Sequence, residues 1–586
     1  MRYLGLASDY DGTLAHDGRV TPQTLASLQS LRESGRRLLM VTGRELEELQ
    51  SVFPEYDIFD RIVAENGALI YTPEGRSIRT LAEAPPPEFA EELRRRGAER
   101  VAVGRVIVAT WEPYEKIVLD TIRDMGLELQ VIFNKGAVMI LPTGVTKATG
   151  LAAALEELGL SLHNAIGIGD AENDHAFLSA CECGVATANA IPTLKERADF
   201  VTKADHGAGV EELIARLEAN DLRDLDARLS RHHLVLGRHA ERDIRISPYG
   251  SSLLVAGASG SGKTEFAVGM IERIGDATRQ FCVIDPEGDY STFENAVAVG
   301  SHQQAPDIDE VMRLLANPWD NVVVNLVGIR ISDRPAFFIS LLTRIQELRV
   351  RTGRPHWLII DEAHHVLPAK QADEPRIVPQ GLNNALFITV DPRTVLPQAL
   401  NALSGLIVVG PEPADTLQAF CEARQRPVPQ APRYKKGAVC AWLDEFESAP
   451  ISLDMIPSRT QRRRHHRKYA EGDLGPDRSF YFRGPEDRLN LRAQNLMIFL
   501  QMADGVDDET WEHHLHAGEY SHWFRECVKD PTLADEAAEV EKQTNLTPAE
   551  SRAKIRELIE RDYTAPAHGD VAPVQPSASS ESSPGG

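Results

Sequence analysis

The chain has 586 residues, 42% hydrophobic and 26% charged, too many for one hydrophobic core; the length predicts three or four globular domains. Its 87 acidic and 63 basic residues leave a formal net charge of −24, which favours solubility and argues against wholesale wrapping of nucleic acid. No run of about 18 apolar residues occurs, so no membrane span is expected, and six cysteines, with only Cys181 and Cys183 close together, do not make a zinc site.

The opening MRYLGLASDYDG passes directly into a strand and a motif, which leaves no room for a signal peptide. Together with cysteines read as reduced structural thiols, this predicts a cytoplasmic protein. From residue 1 to about 225, short apolar strands (RRLLMVTG, DRIVAENGALIY, NAIGIGD) alternate with helical stretches (TPQTLASLQSLRESG, TKATGLAAALEELGL). That alternation predicts an α/β domain, a parallel sheet with covering helices.

The strand ends of this block carry chemistry. Hydrolysing a phosphomonoester through a carboxylate needs an attacking Asp, a second acid for the leaving oxygen, a magnesium ion and donors for the phosphoryl group. DYDGTL supplies Asp9 and Asp11, VTGR the hydroxyl of Thr42, and GVTKATG the point charge of Lys147. GIGDAENDHAFL supplies Asp170, a hard oxygen ligand for Mg2+, with Asn173 and Asp174 on the next turn. Each alone is weak; four in this order, each at a strand end, form a strong signal.

On these motifs residues 1–225 resemble the haloacid dehalogenase superfamily of phosphatases. AENGALIY (64–71) and the GDxxND signature resemble the subgroup with an α/β cap, here expected at about 85–140. That subgroup includes Cof-type, sucrose-phosphate and archaeal phosphoglycolate phosphatases; DYDGTLA is also similar to trehalose-phosphate phosphatases. The resemblance implies a Rossmann-like fold with Asp9 as nucleophile and Asp11 as general acid/base. It implies Mg2+ held by Asp9, Asp170 and the backbone carbonyl of Asp11. Arg44, Glu65, Asn66, Asn173 and Asp174 are read as substrate contacts, Asn66-Gly67 having the alternative reading of a plain turn. A phosphorylated sugar or small phospho-acid is the expected substrate.

The segment ANDLRDLDARLSRHH (219–233) is expected to be helical and either to transmit motion between the first block and a second α/β block at about 230–455 or merely to space them. The strands expected there are SSLLVAGA, FCVIDP, NVVVNL, HWLIIDEA, ALFITV and GLIVVG, apolar on both faces as buried parallel strands are. GASGSGKT (257–264) lies between the first of these and a helical stretch, the context of a phosphate-binding P-loop. Gly257, Gly260 and Gly262 let backbone amides face phosphate, Lys263 reaches the β and γ oxygens, and Thr264 ligates Mg2+. HWLIIDEAHH ends in Asp361, expected to hold magnesium through water, and Glu362, expected to polarise a hydrolytic water.

With VIDPEGDY, these residues resemble HerA/FtsK-like P-loop ATPases over about 235–455. The resemblance implies ATP binding and ring assembly of like subunits, with Arg393 or Arg424 as the arginine offered to a neighbour or as a plain surface arginine. Two features depart from that family. The strand ALFITVDPRTVLP carries Thr389 but Val390 and Asp391 where a sensor Gln is expected, and no β-barrel precedes the motor.

RTQRRRHHRKY (459–469) reads as a solvated basic linker or, alternatively, as a run that touches phosphates or a partner's acidic face. Residues 478–562 read as a small helical accessory domain with Trp511, Trp523 and Phe524 in its core, and with His513, His514, His516 and His522 lacking the further ligands of a metal site. The Pro/Ser/Gly-rich stretch 563–586 reads as a disordered tail. The leading expectation is a magnesium-dependent phosphatase fused to an ATPase, with a small phosphorylated metabolite and ATP as partners. Alternatives are a nucleic-acid translocase or end-processing factor, a kinase–phosphatase pair (against which Glu362 counts), and a nucleotide-gated scaffold.

Overall fold

Strands apolar on both faces build two mostly parallel sheets, and the helices between them cover both faces of each. The computed structural model describes residues 1–563 apart from 259, 292, 370–381, 434, 436, 445–448, 460–473, 475–477, 529 and 544. All but the first residue of the basic run, and all but Tyr563 of the expected tail, therefore lie outside the described residues.

Among the described residues the first sheet runs in the order Phe200–Val201, Cys183–Ala186, Ala165–Gly169, Gly5–Ser8, Arg37–Val41, Arg61–Ala64, Leu69–Thr72, Ser77–Thr80. The first six strands are parallel and the last two antiparallel, a Rossmann-like α/β arrangement. Alternation along Gly5–Ser8 sends Leu6 toward Leu28, Leu31 and Leu213 on one face and Ala7 toward Leu151, Ala154 and Leu155 on the other. A cap follows Ser77–Thr80. Its antiparallel sheet runs Ala102–Val103, Val108–Trp111, Ala137–Pro142, Leu129–Asn134, with helices Pro87–Arg95 and Glu115–Asp124. Phe89, Leu93, Val118, Val138 and Ile140 pack between helices and sheet. Met139 and Leu141 pack on the opposite face with Ala68, Val106 and Ile107.

The expected helix at 219–233 is a correction. The helix His206–Asn220 stops where Asp221 and Leu222 both take positive φ (57° and 56°), and two 3-10 turns, Arg223–Arg228 and Ser230–His232, follow. Leu222, Leu225 and Leu229 are buried in the core of the first sheet, so this stretch is docked rather than a free spacer.

The second sheet is parallel from Gly405–Val409 through Leu253–Ala256, Ala385–Thr389, Trp357–Ile360, Phe281–Asp285 and Val322–Asn325 to Val297–Val299. Beyond Gly405–Val409 it continues antiparallel through Ala438–Leu443, Ile451–Asp454, Leu234–His239 and Arg242–Ile246. In that extension Ala438–Leu443 is apolar and buried, while Ile451–Asp454, Arg242–Ile246 and the end of Leu234–His239 are mixed and partly exposed. Leu253 and Val255 face helix Lys263–Asp276; Leu254 and Ala256 face the other side, where Phe338 and Leu341 of helix Arg334–Thr352 lie.

The two sheets meet through the residues preceding their strands, and residues 1–457 form one compact unit. Glu182, fully buried, accepts two hydrogen bonds from Arg279 Nη2 (3.0 and 2.8 Å), one from Arg2 (3.0 Å) and lies 2.7 Å from His163 Nδ1. The hydroxyl of Tyr249 donates to the His163 carbonyl (2.7 Å), and Arg354 donates to the Gly159 carbonyl (2.6 Å). Residues 458–586 form a separate unit. A short hairpin, Phe480–Phe482 with Leu491–Ala493, and the helices Leu496–Gly505, Asp508–His516, Glu519–Glu526, Pro531–Glu541 and Pro548–Tyr563 enclose Trp511, Trp523 and Phe524. His514 is buried there, accepting from the Arg483 amide at Nε2 (2.9 Å) and facing Glu519 at Nδ1 (2.6 Å), a structural role.

Candidate active site

Gly5–Ser8 delivers Asp9 to the carboxyl edge of the first sheet, and the chain then reverses, with Ala15 N donating to the Tyr10 carbonyl (2.8 Å). Gly12 is required in that reversal. Its φ is 89°, and a Cβ there would run into the Asp170 carboxylate. Lys147 opens helix Lys147–Glu157, whose N-cap Thr146 accepts from the Thr149 amide. From that first turn the buried ammonium donates 2.6 Å hydrogen bonds to Asp9 Oδ1 and to Asp174 Oδ1. The other Asp174 oxygen accepts from the amides of Asp170 and Ala171, both at 2.9 Å. Asp174 thus holds Lys147 and the Asp170 loop, and does not face an open cavity as the substrate-contact reading expected.

Burial works against the Lys147 charge, but Asp174 and Asp9 outweigh it and raise its ammonium above the ordinary lysine range. Burial likewise pushes the Asp9 carboxyl up, to about 8, with Lys147 pulling it down. With an ammonium at 2.6 Å, the pair is best read as Asp9 carboxylate against Lys147 cation.

Other residues singled out in the sequence fall around this centre. Arg44 clamps Asp11 through Nε and Nη2, both at 2.7 Å, so it orients that carboxylate. Thr42 is buried, its hydroxyl accepting from the Arg44 amide (3.1 Å). Asn66 Oδ1 accepts from Asn173 Nδ2 (2.9 Å), while Asn173 Oδ1 is buried without a protein partner. Glu65 corrects the expectation of a substrate contact. Its two oxygens accept from the cap amides of Arg105, Val106 and Ile107 (2.9, 2.7 and 2.9 Å), which leaves it a cap tether.

Two side chains escaped the sequence reading. Thr13 donates to Asp170 Oδ1 (3.1 Å). Lys135, at the tip of the cap hairpin Leu129–Asn134/Ala137–Pro142, donates to Asp170 Oδ2 (2.9 Å) and to the Asp11 carbonyl (3.1 Å). The signal for it was present in Asn-Lys-Gly between two apolar runs, a hairpin tip. Asp9, Asp170 and Asp174 bring carboxylate oxygens within 4.8 Å of one another. This all-oxygen, acidic set suits a hard divalent ion, and an ammonium already rests on two of the oxygens assigned to magnesium.

The second ligand-like group, His163, Glu182 and His232, lies in the junction between the sheets, where Arg279 and Arg2 already neutralise the carboxylate. It does not fit a metal.

At the carboxyl edge of the second sheet, residues 257–262 link Leu253–Ala256 to helix Lys263–Asp276. A Cβ on Gly257 would overlap the Val409 carbonyl, and Gly260 and Gly262 take φ of 76° and 102°, so the loop depends on glycine at all three. Lys263 Nζ donates to the carbonyls of Gly257 and Ala258 (2.9 and 3.1 Å). Thr264 occupies the helix's first turn beside it. Asp361 and Glu362 follow Trp357–Ile360; burial raises both carboxyls, Asp361 well above the ordinary range. Arg424 is tied to Asp444 (3.0 Å) within its own fold, and Arg393 is half exposed near Asp391 and Glu422.

Residues 6–110 and 130–214 match the family model of haloacid dehalogenase-like hydrolases. The chain is 30% identical over 220 residues to a phosphoglycolate phosphatase of Methanothermobacter thermautotrophicus, covering 36% of this chain and 97% of that one. It is 31% identical over 232 residues to the phosphoglycolate phosphatase of Methanopyrus kandleri, covering 38% and 97%. A solved sucrose-phosphatase from Synechocystis aligns at 23% identity with a TM-score of 0.31, covering 37% of this chain and 99% of the other. Through its N-terminal region, this chain belongs to the haloacid dehalogenase-like hydrolases and is a phosphatase of that superfamily.

Proposed function

We propose that the N-terminal region hydrolyses a small anionic phosphomonoester, phosphoglycolate being the first substrate to try, by way of an aspartyl-phosphate on Asp9. The observation carrying this reading is the buried Asp9–Lys147–Asp174 relay, which holds a carboxylate beside a fixed cation. An Asp9 oxygen attacks phosphorus as the ester oxygen departs, and Asp11, oriented by Arg44, gives that oxygen its proton. Water then attacks the aspartyl-phosphate, Asp11 takes its proton back, and inorganic phosphate leaves. Lys147 offsets the negative charge gathering on Asp9 and the phosphoryl oxygens, and Thr42 offers a hydroxyl to one of them. A magnesium ion held by Asp9, Asp170 and the Asp11 carbonyl would supply charge neutralisation of the phosphoryl group. Lys135, a cap cation reaching the carboxylate edge, favours an anionic substrate.

The second sheet is proposed to bind and hydrolyse ATP, Lys263 and Thr264 meeting the triphosphate and its magnesium, Asp361 holding that ion and Glu362 orienting water. Support comes from the glycine-dependent loop between a strand and a helix N-terminus, and from carboxylates at neighbouring strand ends. A nucleic-acid motor working as a ring gains little from Arg424, which is committed to Asp444. The protein is read as cytoplasmic and bifunctional.

Phosphate release from phosphoglycolate, sugar phosphates and nucleotides with magnesium tests both halves. Asp9→Asn is expected to abolish ester cleavage and leave ATP turnover intact, and Lys263→Ala the reverse. Ester cleavage surviving in Asp9→Asn sinks the phosphatase assignment to this site; ATP turnover surviving in Lys263→Ala sinks the second.

A further inference from the structure

We propose that Lys135 is a cap-borne competitor for the metal position, so that metal entry and full seating of the cap hairpin exclude each other. The inference rests on the phosphatase reading only for which oxygens the metal uses.

Three observations carry it. Lys135 Nζ bonds Asp170 Oδ2 (2.9 Å) and the Asp11 carbonyl (3.1 Å), two of the three oxygens assigned to magnesium. A divalent ion and an ammonium cannot both occupy the short approach to the same oxygens, since like charges at that distance repel strongly. Second, the side chain is not a buried structural cation. It is 47% exposed and sits on a two-residue hairpin turn, Lys135 at φ 48° and Gly136 at φ 85°, so it can leave without opening a core. Third, the hairpin strand Leu129–Asn134 lies against residues 172–174, next to the Asp170 loop, so displacing the tip moves the cap relative to the catalytic edge.

Lys135 therefore keeps the carboxylate edge charge-balanced until a divalent ion arrives, and the ion must push the tip away to bind. The displaced ammonium then stands at the mouth of the site, where an anionic substrate enters.

The full-length chain provides its own reporter. Trp111 pairs across from Ala137, and its ring lies 3.8 Å from where a Cβ on Gly136 would sit, so it senses the tip. The test measures binding of Mn2+ alone by electron paramagnetic resonance, and tryptophan fluorescence on adding Mg2+. Lys135→Met is expected to bind Mn2+ severalfold more tightly than wild type, and Lys135→Arg, which keeps a cation, to stay near wild type. Wild-type fluorescence should change with Mg2+, and this change should be lost in Trp111→Phe and in Asp170→Asn. Equal or weaker Mn2+ binding by a folded Lys135→Met protein overturns the proposal, as does a Mg2+ response unaltered by Trp111→Phe. Neither readout needs catalysis. Inactivity toward every ester with competition intact removes the substrate reading alone; ester cleavage with no competition removes this one alone.

Discussion

At the scale of single residues, Lys147 carries the most weight, because its buried ammonium is shared by two buried carboxylates. Removing it leaves Asp9 and Asp174 facing each other without a counter-charge. Breaking a buried charged network in this way costs about 3–5 kcal/mol of stability, and losing a fixed electrostatic partner costs roughly 100- to 1000-fold in kcat. Lys147→Met is therefore expected to lower both, and thermal melts beside phosphate-release kinetics read them separately. A loss of stability with kcat intact would make Lys147 purely structural. Arg44 is the contrasting case, a partly buried side chain whose bidentate contact orients Asp11.

At the scale of elements, one carboxylate ties the cap turn at residues 105–107 to the first sheet. Glu65 stands on a backbone with positive φ (50°) at the end of Arg61–Ala64 and binds three successive amides of the cap turn. Charge-assisted hydrogen bonds contribute about 1.5–3 kcal/mol each, and amides left buried and unpaired cost comparably. Glu65→Ala is expected to loosen the cap, raising KM for the phosphoester more than it lowers kcat and speeding trypsin cleavage after Arg105. Limited proteolysis with steady-state kinetics checks this; an unchanged KM and cleavage rate would show that the cap is held elsewhere. The corresponding device in the second sheet is Gly257, where close approach to Val409 lets the loop pass without a side chain.

At the scale of the whole unit 1–457, the two sheets are joined at the ends from which their strands start, and the two candidate sites lie at the ends where strands finish. Arg2 and His163 precede strands leading to Asp9 and Asp170, while Arg279 and His356 precede strands leading to Asp285 and Asp361. Each site thus stands one strand length, roughly 15 Å, from the junction. The junction also sets a pH limit. Burial lowers His232 to about 4, holds His356 well below the ordinary imidazole range, and lowers His163 with help from Arg279. Between pH 6.5 and 4 the unfolded chain takes up protons that these folded histidines refuse, so stability is full above 6.5 and falls as the pH drops. His232 alone accounts for a loss on the order of 3 kcal/mol. Denaturant unfolding at pH 7.5, 6.0 and 5.0 should show this decline, shallower in His232→Gln; a flat profile would mean the histidines are solvated.

Which residues stand at the two strand edges was legible in the sequence because they are written in short motifs. Asp9 and Asp11 share one turn, Asp170, Asn173 and Asp174 share another, and GASGSGKT needs only its own glycines to form a loop. Parallel strands apolar on both faces announced the two α/β blocks for the same reason: burial leaves its mark on consecutive residues. What the sequence left open depends on pairs far apart along the chain. Lys135 reaches Asp170 only because a hairpin folds the cap back over the site, Glu65 meets residues 105–107 only across that cap, and Glu182 meets Arg279 across 97 positions. No local pattern encodes such meetings, because an isolated Lys, Glu or Arg looks the same whether it ends in solvent or in a buried pair. Tertiary packing decides which, by removing water and leaving each charge one partner to find.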